Sequence, residues 1–141
     1  FDRDHPIGST GQMRTWYTSK PCERTRKSHI NVCVYDSTWE ASDAYVLDNS
    51  DAVSAWAKND HLGFEVLYVY GGVVRKYRPD FLVRLSNGDM LILETKGQNT
   101  ELDRVKQRYL DEWTQAVNAH GAFGRWRWKV ARHPGEIRDI L

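Results

Sequence analysis

Asp80, Glu94 and Lys96 are the three charged residues of this chain that stand where charge is expensive. Each interrupts a run of apolar, β-branched-rich sequence: Phe81-Leu82-Val83-Arg84-Leu85 follows Asp80, and Met90-Leu91-Ile92-Leu93 precedes Glu94. An unpaired carboxylate inside an apolar sheet costs several kcal/mol or more, so such groups pair with one another or hold a cation. Two carboxylates and an ammonium converging on one sheet face make a hydrolytic metal site, with the carboxylates as the ligands.

Their convergence depends on the turn between the runs. A two-residue loop, Asn87-Gly88, would pair Leu85 with Met90 and send Asp80 and Glu94 to opposite faces. A three-residue loop, Ser86-Asn87-Gly88, pairs Leu85 with Asp89 and Asp80 with Glu94. Loops of three residues favour a type I turn followed by a left-handed residue, and Gly88 occupies that slot. In this register the Cβ atoms of Asp80 and Glu94 are roughly 5 Å apart. Lys96, two residues on, shares their face. Phe81, Val83, Leu85, Leu91 and Leu93 then form one apolar layer, and a slip of one residue would mix charge into it.

Pro79-Asp80, thirteen intervening residues and Glu94-Thr95-Lys96 resemble the PD-(D/E)xK nuclease motif. Further segments extend the resemblance to the C-terminal endonuclease domain of type III restriction (Res) subunits and related helicase-fused nucleases. They are Lys27-Ser28-His29-Ile30-Asn31, Asp36-Ser37-Thr38-Trp39-Glu40, Trp56-Ala57-Lys58-Asn59 and Trp113-Thr114-Gln115-Ala116-Val117-Asn118. It runs from about Met13 to about Val130. The resemblance implies a restriction-endonuclease-like α/β core, a mixed sheet of four to five strands flanked by helices in the order α-β-β-β-α-β. It implies Mg²⁺ (with Mn²⁺ as substitute) on Asp80, Glu94 and the Thr95 carbonyl, with Lys96 completing the catalytic triad. Double-stranded DNA is then the substrate. A modification subunit or a tethered helicase domain is the partner, and a dimer would serve double-strand cleavage. ATP would serve only a translocase region outside these residues, which carry no Walker motif. A nucleic-acid-binding domain that keeps the fold without cleaving is the alternative, and a protein-interaction domain without metal affinity is a third.

Glu40 satisfies two readings. Ser37-Thr38-Trp39-Glu40 has the spacing of a capping box, in which Glu40 returns to the Ser37 backbone N–H. The resemblance instead makes it an extra acidic metal ligand from the first helix. Asp80 and Glu94 also have plain readings, as sheet carboxylates paired with Arg78 or Arg84 and with Lys96. Lys58, Arg75, Lys76, Arg78 and Gln98 are the candidates for phosphate contact; for Lys58 and Gln98 simple surface exposure is the plainer expectation. Glu65 is expected in a surface ion pair.

The chain has 141 residues, 40% of them hydrophobic, with six Trp and seven Tyr, enough for one domain with one core. Residues 1–12 read as a loose leader and 13–141 as the nuclease domain. A start at Phe1 suggests a piece of a longer protein, with processing of a precursor as the alternative; the resemblance implies that the longer protein contains a helicase. Net charge is only +1 but uneven: seven acids and one Lys lie between Asp36 and Glu65, and bases cluster at 20–27, 75–78 and 125–132. No apolar run is long enough to span a membrane, and two cysteines without metal spacing suit a reducing, cytoplasmic setting. Cys33 is expected to be a buried thiol.

The elements that must position the site follow from periodicity. Residues 13–20 and 29–35 alternate like strands, and 36–48 and 51–58 are expected to be helical. Residues 64–70, a Gly71-Gly72 turn, one long strand over 73–85 and a strand over 89–96 would make a meander. Thr100 caps a helix with Leu102, Val105, Tyr109, Trp113, Ala116 and Val117 at helical spacing, ended by Gly121. Residues 126–131 form a last strand, parallel to 89–96 because a helical crossover favours that pairing. Trp126 and Trp128 are expected in the core rather than on nucleic acid.

Overall fold

The computed structural model of the chain describes residues 10–35, 38–95, 100–133 and 135–141. A single 3-10 turn, Thr10–Gln12, precedes a small antiparallel pair, β1 (Cys22–Arg24) and β2 (Val32–Val34). Then come α1 (Thr38–Asn49), β3 (Val53–Lys58), β4 (Val66–Tyr70), β5 (Val73–Tyr77), β6 (Phe81–Leu85) and β7 (Met90–Glu94). The chain ends with α2 (Glu101–His120), β8 (Trp126–Val130) and α3 (Glu136–Ile140).

The central sheet has four strands in the order β3-β6-β7-β8. β6 runs antiparallel to both β3 and β7, and β8 lies parallel to β7 after the α2 crossover. The sheet is therefore mixed, as expected. Its strands alternate between two cores, one on each face. Val53, Trp56, Phe81, Val83, Leu85, Leu91 and Leu93 pack with Ala44 and Leu47 of α1, Cys33 of β2 and Ile137 of α3. Leu82 and Ile92 face the other way, onto Leu110, Val105, Tyr109 and Trp113 of α2 and onto Val66, Tyr68 and Tyr77 of the β4–β5 hairpin. Trp126 and Trp128 pack in this second core. Their indole N–H groups donate to the Phe123 carbonyl at 2.9 Å and to Asp111 Oδ1 at 3.0 Å.

The β6–β7 turn has the three-residue geometry. Phe81 pairs with Leu93, Val83 with Leu91 and Arg84 with Met90. The Leu85 N–H donates to the Asp89 carbonyl at 2.8 Å, and the Gly88 N–H returns to the Leu85 carbonyl at 2.9 Å. Gly88 has φ of 92°, a conformation costly for any residue with a Cβ. Asn87 adds a side-chain acceptor for the Asp89 N–H, 2.9 Å away.

Three expected elements differ. Residues 51–58 form strand β3, not a helix: Ser50 and Asp51 turn the chain, and pairing of β3 with β6 overrides local propensity. The long strand over 73–85 is two strands in two sheets. Pro79, fully buried, cannot donate to a ladder and separates β5 from β6. Residues 13–20 contain no strand, and Trp16 stacks on His61 with ring centroids 4.0 Å apart. Setting aside the β4–β5 hairpin, the sheet and its two long helices follow one another as α1, β3, β6, β7, α2, β8. The strand at 53–58 thus takes the place expected for 64–70. No described helix is long and apolar enough to cross a membrane.

Candidate metal centre

The register that pairs Phe81 with Leu93 sets Asp80 opposite Glu94 one step past the end of the ladder. Both sit where the sheet stops and the chain turns away, Asp80 before β6 and Glu94 as the last residue of β7. Asp80 is fixed by its neighbour across the strand pair. The Thr95 backbone N–H and hydroxyl donate to Asp80 Oδ2 at 2.8 and 2.9 Å. Both bonds fall on one oxygen, so Oδ1 has no donor among the described residues. Burial pushes the Asp80 carboxyl above its ordinary pKa, and the two Thr95 bonds pull against that.

Glu94 is fixed from β5. The Tyr77 hydroxyl donates to Glu94 Oε2 at 2.7 Å. Burial, then the charge of Asp80, raises the Glu94 carboxyl to about 8, against the pull of Tyr77 and of Lys106 on α2. The charge of Asp80 reaching Glu94 is the electrostatic trace of their convergence. Tyr77 itself is held protonated, its pKa raised by burial and by Glu94.

α1 brings two more carboxylates to this end of the sheet. Glu40 is buried and forms an ion pair with Lys58 Nζ at 3.2 Å. Lys58 also donates to the Val34 carbonyl at 2.7 Å. Asp43, one turn on, is only 1% exposed. Burial, then Asp80 and Glu40, raises its carboxyl to about 7. Neither Asp43 oxygen has a hydrogen-bond partner, and neither does the buried indole nitrogen of Trp39 nearby. The Trp39 N–H bears on Asp43 and lowers its pKa, but the two do not make a full hydrogen bond.

The expected phosphate contacts divide. Lys58 is buried in its ion pair rather than exposed, because the Glu40 charge beneath the sheet end needs a counter-charge. Lys76 and Arg78 are exposed, but both reach Glu65, at 3.6 and 2.8 Å, which makes Glu65 the ion-pair residue expected. Arg75 is exposed and lies over the Tyr70 ring, 5.4 Å from its centre. Arg78, committed to Glu65, is not the partner of Asp80. Lys96, Gln98 and Ser37 lie outside the described residues, so the pairing of Lys96 with Glu94 and the capping-box role of Glu40 fall there too.

Among the described residues, no group of three or more His, Cys, Asp or Glu side chains is arranged to hold a metal ion directly. Two carboxylates suffice for Mg²⁺, which binds through one or two protein oxygens and keeps several waters. Asp80 and Glu94 fit that requirement in donor type and in pairing. Residue-type reasoning missed Asp43. The signal was the spacing Glu40, Asp43, Ala44, Leu47, a helical buried stripe in which two of four members are acids. Comparison of the chain with family models, curated proteins and solved structures found no match.

Proposed function

We propose that this chain is a Mg²⁺-dependent DNA endonuclease domain with a restriction-endonuclease-like core, the nuclease module of a type III-like restriction or DNA-defence enzyme. The observation that carries the proposal is the carboxylate pair. Asp80 and Glu94 face one another across the open end of β6 and β7, and burial, with the charge of Asp80 second, raises the Glu94 carboxyl to about 8. A structural sheet has no use for that repulsion, whereas a cation relieves it.

In this reading Asp80, Glu94 and the Thr95 carbonyl hold the metal. Bound there, Mg²⁺ supplies Lewis-acid activation of a phosphate and of water. Thr95 locks the Asp80 rotamer, so one oxygen is pinned and the other faces the site. Tyr77 aims Glu94 and favours its ionised form. Lys96 orients the attacking water or stabilises charge developing on the phosphate. Arg75, and Lys76 and Arg78 on release from Glu65, would contact phosphate in this reading. Sequence choice and ATP-driven translocation belong to other domains or subunits in this reading.

The test is cleavage of supercoiled plasmid by the chain with Mg²⁺ or Mn²⁺. Asp80→Ala, Glu94→Ala and Lys96→Ala should each abolish nicking and linearisation while circular dichroism stays native. The double Asp80→Ala/Glu94→Ala variant should be little worse than either single one, because the residues act as a unit. Cleavage that survives in Asp80→Ala would remove the pair from the chemistry. DNA binding without cleavage in wild type would favour an idle binding domain.

A further inference from the structure

α1 turns a buried stripe of Glu40, Asp43, Ala44 and Leu47 toward the sheet. Ala44 and Leu47 meet the apolar core, and Glu40 meets Lys58. Asp43 makes no hydrogen bond, and the one donor that bears on it, the Trp39 indole N–H, falls short of one. The other carboxylates held in the interior have donors. Asp80 takes two from Thr95, Glu94 takes Tyr77, and Asp48 accepts from the Lys27 N–H at 2.8 Å and from the Trp56 indole at 3.1 Å. Asp43 has both oxygens buried without a partner. Leaving buried acceptors unsatisfied is costly, and more so for a carboxylate. The charges bearing on Asp43 are those of Asp80 and Glu40, both negative. What completes the group must therefore bring hydrogen-bond donors and positive charge.

We propose that Asp43 is the contribution of α1 to the cation site: it accepts hydrogen bonds from the water shell of a cation held at Asp80 and Glu94. The proposal rests on the endonuclease reading above and adds a positioning residue to it. Contact through water follows from two facts. No three carboxylates of the described residues are placed to bind one ion directly. Mg²⁺ keeps much of its hydration, and those waters donate to nearby acceptors. Glu40 is unsuited to this role, because Lys58 already answers its charge. Groups one shell out from a metal commonly set its affinity by 10–100-fold.

The experiment is calorimetric titration of the intact chain with Mn²⁺, without DNA, on wild type, Asp43→Asn and Asp80→Asn, with metal-free melting temperatures alongside. Asp43→Asn keeps the shape of the side chain and removes its charge. It should weaken Mn²⁺ binding about 10- to 100-fold without lowering the metal-free melting temperature, and Asp80→Asn should abolish binding. Wild-type affinity in Asp43→Asn, with binding lost in Asp80→Asn, would overturn the role of Asp43 and leave the carboxylate pair standing. A lower metal-free melting temperature with unchanged affinity would do the same, marking Asp43 as structural, for instance through Trp39. Wild-type affinity in Asp80→Asn, or no binding by wild type, would overturn both readings. Should Asp43→Asn not fold, Asp43→Ser takes its place with the same outcomes.

Discussion

Tyr77 shows how one hydroxyl can set the working range of the site. It donates to Glu94 at 2.7 Å and so favours the ionised carboxylate, which burial and Asp80 disfavour. Tyr77→Phe removes the donor and keeps the ring in the α2 core. The Glu94 pKa should rise above its value of about 8. Cation affinity at pH 7.5 should therefore fall, and recover as pH approaches 9.5. A titration series with Mn²⁺ across that range would check this, and a uniform loss at every pH would show that Tyr77 acts by packing alone. Lys58 makes a different prediction. Its ion pair with Glu40 is buried on both sides, and removing one partner of such a pair costs about 3–5 kcal/mol because the other charge stays behind. Lys58→Met should lose that much in urea unfolding, and adding Glu40→Gln should restore a large part. At this scale the sequence was legible where charge broke an apolar run, as at Asp80 and Glu94. It was not legible at Lys58, which looks like any surface lysine, nor at Asp43, whose burial depends on how α1 is rotated against the sheet.

At the scale of elements, the β6–β7 hairpin carries the site, and its register hangs on one glycine. Gly88 has φ of 92° with nothing within 4 Å of where a Cβ would stand. The penalty for a side chain there is thus conformational, about 1–2 kcal/mol, and not a clash. Gly88→Val should lose about that much stability. Activity and Mn²⁺ affinity should fall further, because a one-residue slip sends Asp80 and Glu94 to opposite faces. Gly88→Asn should be mild, since Asn tolerates the left-handed region. Paired urea titrations and Mn²⁺ titrations of both variants would separate strain from slippage. This hairpin was readable because its turn chemistry, its apolar alternation and its charges agree on one register. The α2 helix was readable for the same reason, from the Thr100 cap, whose hydroxyl accepts from the Asp103 N–H, to Gly121 in the left-handed region. β3 was not, since Val53-Ser54-Ala55-Trp56-Ala57-Lys58 has no strand alternation: its last three residues are all buried. Pairing with β6, distant in sequence, and the backbone bonds of Trp56 to Lys27 and His29 make it a strand.

For the whole molecule, the buried acids make stability fall with pH when no cation is present. Asp43 is raised to about 7 and Glu94 to about 8, from ordinary carboxylate values of 3.8 and 4.5. Between those limits the native state keeps protons that the unfolded chain has released. Stability from these groups is fully present below about pH 4, and it is lost as pH rises through 7 and 8. Asp48 acts in the opposite sense: burial raises its carboxyl, but the Lys27, Trp56 and Arg26 donors outweigh burial and lower it. Its contribution is therefore lost only in stronger acid, below the range of interest. The metal-free chain should accordingly melt at a higher temperature at pH 5.5 than at pH 8.5, and Asp43→Asn should flatten the difference. A cation bound only by the native state adds about 2.7 kcal/mol at a hundred times its dissociation constant, and it binds the ionised carboxylates. Millimolar Mg²⁺ should then raise the melting temperature at pH 8.5 far more than at pH 5.5, inverting the metal-free trend. Differential scanning calorimetry at the two pH values, with and without Mg²⁺, measures all four numbers. An equal Mg²⁺ response at both would mean that the ion binds away from Asp80, Glu94 and Asp43, and that this end of the sheet stores its repulsion for some other partner.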